Sequence, residues 1–373
     1  MRDSGGKKIL QGIEMKALVF IFFLLLPLSV RANVEEFFAE LNKLPQAERQ
    51  QRLIDGAKKE GEVMLYSSSG LEEIRAMAKL FGREYPFLKV RFMRKGGSQL
   101  FNVSLMEFKG QKYVADLYWA GVSTLGPILK QEKGMLARYL SPERTPLPDD
   151  YKDKEGYWTA TRISVAIFAY HAKKVPPDKV PKSYPNLLDP FWKGNIAVDT
   201  NPARFPALLV ERVGWQRAEE YLKKLGQQEL RLLRGRSARM QLILGGEVLG
   251  ALDINADNIV EMQLQGAPLE YAIMDPTFLS LTSVSMPQKP PHPHAAALLY
   301  DFFLSREGQQ ELSRENNVPI REDVEMRAKE LARRMKEAKA QKKFIIQSPG
   351  TYDPIAEERY DRLYINTLVK KSK

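Results

Sequence analysis

The chain has 373 residues, 44% hydrophobic and 28% charged, enough for two or three domains with buried cores and too apolar for an intrinsically disordered protein. Its Cys count of 0 excludes disulfides, thiolate-bound zinc, iron–sulfur clusters and thiol nucleophiles, and 3 His leave too few imidazoles for a histidine-built metal site. The formal charge of +11 suits a nucleic acid, a membrane surface or an acidic ligand and selects none of them.

Lys16 precedes an apolar run over 17–28, which exits through Ser29-Val30-Arg31-Ala32. A positive residue, a short apolar stretch and small residues at −3 and −1 (Val30 and Ala32) are the pattern of a secretory signal peptide, with cleavage expected after Ala32. The run is about half of the ~20 residues that span a bilayer. Met15 can serve as the start. A soluble periplasmic protein is therefore expected. Export and the scattered placement of the basic residues argue against a nucleic-acid partner.

Beyond the signal, 33–60 reads as a helical lead-in, with Phe37, Phe38, Leu41 and Leu44 at helical spacing. A strand is predicted over 62–66, then Ser67-Ser68-Ser69-Gly70 and a helix over 71–85. A strand over 90–93 leads through Gly96-Gly97-Ser98 into a helix from 99, and a strand over 115–119 leads through Gly121-Val122-Ser123 into a helix from 124. A Pro- and Asp-rich loop over 141–155 separates this unit from a long strand over 159–170.

The second unit has strands over 196–198, 248–254 and 269–274, with helices over 205–213, 215–225, 237–244 and on to 265. A second long strand follows over 278–286, then helices over 294–304 and 305–315. Residues 321–343 read as a solvated charged helix and 355–369 as an amphipathic one, with Tyr360 and Leu363 on one face. Strands alternating with helices imply an α/β fold with a parallel or mixed sheet. The two long strands bracket the second unit, as they would if one lobe were inserted into the other.

Each Ser/Gly turn joins the end of a strand to the start of a helix. That edge is where open α/β sheets bind ligands, and helix amino ends favour anions. Ser at a helix start is also an ordinary cap.

Four stretches resemble exported solute-binding proteins of ABC transporters, nearest to the branch with the ferric-ion-binding periplasmic proteins. They are Ala57-Lys58-Lys59-Glu60-Gly61-Glu62-Val63-Met64-Leu65-Tyr66-Ser67-Ser68, the segment 181–198 with Asp189-Pro190-Phe191-Trp192-Lys193-Gly194, Gln265-Gly266-Ala267-Pro268-Leu269, and the late helices with His292-Pro293-His294 and Ser305-Arg306-Glu307-Gly308-Gln309. The resemblance covers roughly residues 55–320. It implies a type II periplasmic-binding-protein fold, two α/β lobes joined by two crossover strands around a ligand cleft. It also implies a non-enzymatic role as a monomer without cofactor, capturing a small-molecule ligand for a membrane permease. On this reading 1–32 is the signal, 33–60 the lead-in, 61–160 plus 284–320 lobe 1, 161–283 the inserted lobe 2 and 321–373 a C-terminal helical extension. Ferric-binding relatives typically carry an adjacent Tyr pair after the strand that corresponds to 248–254. Here the sequence is Asn255-Ala256-Asp257-Asn258, so a tight ferric site is not expected, and no metal ligand is assigned.

The ligand-binding candidates are Ser68, Ser69, Gly97, Ser98, Gly121 and Ser123 from the first lobe, Arg162 from the crossover, and Thr200, Arg204, Asn255, Asn258 and Thr277 from the second. Helix starts and Arg side chains favour a small anion. A cationic ligand such as a polyamine, received by Asp199, Asp257 and Asp275, and a metal chelate are the alternatives. An exported hydrolase is the rival class, but the sequence lacks a Gly-x-Ser-x-Gly elbow. His171, and the pair His292 and His294, are the imidazoles such a site would need, and Tyr66 and Trp119 could wall a pocket.

Overall fold

The computed structural model describes residues 33–201 and 205–370; the expected cleavage point after Ala32, and Arg204, lie outside the described residues. Helices Val34–Leu41 and Gln46–Glu60 open the chain, and Gly61 closes the second in the left-handed region at φ +73. Three strand–helix units follow: β1 (Glu62–Ser67) with helix Leu71–Glu84, β2 (Lys89–Arg94) with helix Gly97–Lys109, and β3 (Leu117–Gly121) with helix Val122–Gln131. The remaining strands are β4 (Leu136–Ala137), β5 (Thr159–His171), β6 (Ile196–Val198), β7 (Arg231–Leu232), β8 (Gly250–Asn255), β9 (Leu269–Ala272), β10 (Thr277–Pro287), β11 (Val318–Pro319) and β12 (Phe344–Gln347).

The hydrogen-bonded strand order is β2-β1-β3-β10-β5-β8-β6-β7. β1 pairs with β2 and β3 in parallel, and β6 pairs with β7 and β8 in parallel, as helical crossovers require. The antiparallel pair β5 and β10 lies between these two groups. The first half of β5 pairs with β10, and its second half, from Ala166, pairs with β8 and β9. β10 in turn reaches β3 through Thr282 to Ser285. These two long strands therefore link both halves of the sheet. Their side chains are almost all buried, which explains why neither strand shows the polar/apolar alternation of a half-exposed strand.

Apolar clusters form on both halves. Leu65, Phe81, Trp119, Ala160 and Phe303 belong to the first, and Phe168, Trp192, Leu208, Leu222 and Phe278 to the second. Helix Pro293–Leu304 is buried nearly all round, consistent with its lack of a polar face. Its start is pinned by two carboxylates: Asp116 accepts the His292 backbone N–H at 2.7 Å, and Glu60 accepts the Ala295 N–H at 2.8 Å.

The helical extension expected over 321–373 contains a strand as well as helices. Within 321–343 the helix is shorter, Lys329–Ala340. β12 then adds to β10 in parallel. Helix Pro354–Tyr364 and the π-turn Ile365–Val369 follow, and Leu363, Tyr364 and Leu368 complete the second apolar cluster. The Tyr364 hydroxyl donates to the Asp199 carbonyl at 2.6 Å. Among the described residues, no helix is long and apolar enough to cross a membrane.

Candidate functional site

The three Ser/Gly turns converge on one cleft of about 640 Å³. Helices Leu71–Glu84, Gly97–Lys109 and Val122–Gln131 begin at its wall, and their N-cap positions are Gly70, Gly96 and Gly121, none with a side-chain cap. The serines therefore do not cap these helices. Ser68 accepts the Gly121 N–H at 3.2 Å, which ties two of the turns together. Ser69 is 3% exposed and its Oγ has no hydrogen-bond partner among the described residues. Gly97 leaves room for its neighbour: a Cβ there would lie 2.0 Å from Ser123 Oγ and 3.0 Å from Ser123 Cβ, so Ser123 would have to shift. The absence of that Cβ lets two helix starts approach each other closely.

The facing wall brings two more uncapped helix starts. Arg236 opens helix Arg236–Gly245, and Asn255 precedes helix Ala256–Leu264. Arg236 Nε donates to the Asp253 carbonyl at 3.3 Å, and Asp253 sits in the left-handed region at φ +53. Arg162, on the crossover strand β5, reaches the cleft with its charge already matched. Its Nε lies 2.7 Å from Glu73 Oε1, and its Nη1 donates to Ser164 Oγ at 2.8 Å. Burial raises the Glu73 carboxyl above its usual range even beside this guanidinium.

Ser68, Ser69, Gly97, Ser98, Gly121, Ser123, Arg162 and Asn255 thus line one cavity. Other candidates stand apart. The Thr277 hydroxyl donates to the Met274 carbonyl at 2.8 Å, inside the core. Asn258 donates to its neighbour Asp257 at 3.4 Å, and Thr200 is exposed; neither lines the cleft, though Asn201 does.

The aspartates assigned to a cationic ligand are off the cleft as well. Asp199 pairs with the buried Arg239 at 3.0 Å, and Asp275 with Arg212 at 2.9 Å. Tyr66 and Trp119 are fully buried core residues, and Phe101 and Tyr352 are the aromatic lining instead. His292 and His294 bind separate carboxylates, Asp116 at 2.8 Å and Glu60 at 2.7 Å, so they do not converge as a metal pair. His171 accepts the Lys173 N–H on its ring at 3.2 Å.

The sequence reading missed the C-terminal wall. Gln347, Tyr352, Glu357 and Asp361 all line the cleft. Tyr352 packs against the helix that starts at Val122: a Cβ on Gly126 would come within 2.5 Å of the Tyr352 side chain. Glu357 is half-buried, and its carboxyl is pushed up to about 7, first by burial and then by Asp361, Glu211 and Asp353. One signal was available: Glu357 and Asp361 are four apart, which places them on the same helix face.

Residues 129–342 match the family described as bacterial extracellular solute-binding protein. The Fe(3+)-binding periplasmic protein of Serratia marcescens is 25% identical over 164 residues, 43% of this chain and 47% of that protein, so the match spans about half of the curated relative. The substrate-binding protein of an ABC transporter from Agrobacterium tumefaciens aligns in structure at a TM-score of 0.69 and 16% identity, covering 83% of this chain and 96% of that one. Iron-bound HitA from Pseudomonas aeruginosa aligns at 0.63 and 22% identity over 72% of this chain and 89% of that one. AfuA from Actinobacillus pleuropneumoniae, with exogenous fructose-6-phosphate bound, aligns at 0.66 and 22% identity over 83% and 99%. The mixed α/β topology with two linking strands, the cleft at the helix starts and the family match agree: this chain belongs to the bacterial extracellular solute-binding proteins, a non-enzymatic family, and has the type II periplasmic-binding-protein fold.

Proposed function

We propose that this protein is the exported solute receptor of an ABC importer, and that it captures a small anionic solute by closing two lobes and delivers it to a membrane permease. The lobes are 61–160 plus 284–320 and 161–283, with β5 and β10 as the hinge. The observation that carries the reading is the set of uncapped helix starts around one cleft, with the buried, unpartnered Ser69 hydroxyl among them. Each start offers free N–H groups and partial positive charge to an anion. A ligand touching both lobes favours the closed form by its differential affinity.

The relatives named for ferric iron motivate a second reading. The Tyr pair expected of such relatives is absent from the end of β8, where Asn255 and Asp257 stand. Tyr271 is buried beneath Arg334, whose guanidinium lies 4.4 Å from its ring, and it does not line the cleft. These features favour the anion over the metal.

Thermal-shift measurements with carboxylates, phosphates, sulfonates and polyamines test the charge class. A bound anion at a hundredfold excess over its Kd should stabilise the protein by about 2.7 kcal/mol, and Ser69→Ala should reduce that gain. Stabilisation by polyamines alone, unchanged in Ser69→Ala, would refute the reading.

A further inference from the structure

The C-terminal wall distributes its charges unevenly. Helix Pro354–Tyr364 carries Glu357, Glu358, Arg359, Asp361 and Arg362. Its basic groups are engaged elsewhere: Arg362 pairs with Glu358, and the Arg359 guanidinium lies 4.4 Å from the centre of the Trp215 ring. Glu357 and Asp361, the acids that line the cleft, pair with no basic side chain among the described residues. Their surroundings make this costly. They are like charges at i and i+4, a destabilising spacing, and Glu211 and Asp353 add two further carboxylates near Glu357. Tyr352 and Tyr360 face the same group of acids.

A folded chain could have relieved this repulsion by turning Arg359 or Arg362 toward the cleft. Instead, Glu357 and Asp361 join the helix starts in the lining of one cavity. Acids and helix starts therefore line the same cavity, where the Arg162 charge is matched by Glu73. Ser69 also lines the cavity, and its buried hydroxyl has no hydrogen-bond partner among the described residues.

We infer that the captured solute is dipolar: its anionic group lies at the Ser69, Ser98 and Ser123 turns, and a cationic group, an ammonium or guanidinium, lies against Glu357 with Asp361 beside it. The inference rests on the receptor reading above and adds a second recognition pole to it. Glu357 then acts as a specificity residue. It rewards the cationic group with a charge-assisted hydrogen bond and leaves a neutral analogue facing an unpaired carboxylate.

The test uses ligand pairs that differ by ammonium against hydroxyl: taurine and isethionate, phosphoethanolamine and ethylene glycol phosphate, glucosamine 6-phosphate and glucose 6-phosphate. Affinities are measured by calorimetric titration of the full exported chain at pH 8. In at least one pair the ammonium member should bind about tenfold tighter or more. Glu357→Gln should bring the two members within about threefold of each other. Ser69→Ala should weaken both members alike. Glu357→Lys, which supplies the missing cation from the protein, should abolish the ammonium preference, so a misfolded Gln variant does not end the test.

Binding by both members with no ammonium preference, or a preference that survives both Glu357 variants, overturns the dipolar ligand and leaves the anion receptor standing. Binding of the matching plain amines without any anionic member overturns the anion receptor as well. Ferric citrate that binds tighter than every pair, with loss in Glu357→Gln, assigns the acidic wall to a metal and also overturns the proposal, as does a panel in which no member binds.

Discussion

Arg162 and Glu73 form an ion pair across the floor of the cleft, 2.7 Å apart, with side chains only 12% and 10% exposed. Arg162 comes from the crossover strand β5, and Glu73 from the first turn of the helix Leu71–Glu84. Breaking a buried pair by removing one partner leaves an uncompensated charge and costs roughly 3–5 kcal/mol. Glu73→Gln should therefore unfold at distinctly lower denaturant, whereas the double replacement Glu73→Leu with Arg162→Met should recover most of the loss. In the same Glu73→Gln variant the Arg162 charge is no longer neutralised, so a stabilising anion should bind more tightly by titration. A Glu73→Gln variant as stable as the parent would mean that the pair contributes nothing.

Gly126→Ala tests the seat of the C-terminal wall. The new methyl group would lie 2.5 Å from the Tyr352 side chain, so one of the two must move. Overpacking of this kind costs roughly 1–3 kcal/mol. The stability loss should shrink when Tyr352→Ala is added, and ligand affinity should fall in both variants. An additive double variant would show that the two residues do not bear on each other.

Glu357 predicts a pH dependence whose sign can be worked out. Its carboxyl titrates at about 7 in the folded chain against the usual 4.5, so the folded form holds the proton more tightly than the unfolded one. The protonated form stabilises the fold below pH 4.5, and that contribution is lost as the pH rises through 7. Glu357→Gln removes the effect. The variant should melt above the parent at pH 8, and the gap should close steadily between pH 7 and pH 4.5. A gap that is constant across this range would place the Glu357 carboxyl in an ordinary solvated setting.

Asp116 offers a contrast, because it precedes β3, at the end of that strand opposite the Gly121 turn. It is fully buried and accepts the backbone N–H groups of Met64 and His292, each at 2.7 Å, with the His292 ring at 2.8 Å. Asp116→Ala would orphan the Met64 N–H in β1 and the His292 N–H at the start of a buried helix, at a cost of about 2 kcal/mol or more. Stability measured by urea unfolding should fall by that amount. Ligand affinity of the remaining folded protein should not change.

The sequence made some features legible because their signals are local. Ser and Gly between an apolar strand and an amphipathic helix, three times in succession, disclosed the turns at Ser68, Ser98 and Ser123. The length of the stretches over 159–170 and 278–286, unbroken by Gly or Pro, disclosed β5 and β10. What stayed hidden depends on distant partners. Arg162 looked like a free anion binder because Glu73 comes beside it only when β5 crosses the sheet. Thr277 looked available because nothing local reveals that its hydroxyl turns to Met274. β12 has four residues beside a strongly charged helix, too short for a period-2 pattern to register. Glu357 and Asp361 read as ordinary helix surface, because only the fold carries that helix back to the cleft.

That return has a consequence for the timing of synthesis. Tyr352, Glu357 and Asp361 leave the ribosome after the Ser turns with which they line the cleft. A nascent chain that has not yet reached Tyr352 has the Ser turns but not the acidic wall. On the proposed dipolar ligand, discrimination between solutes requires that wall, and loss of the segment that carries it also removes Leu363, Tyr364 and Leu368 from the second apolar cluster, so selection and folding depend on the same stretch of chain.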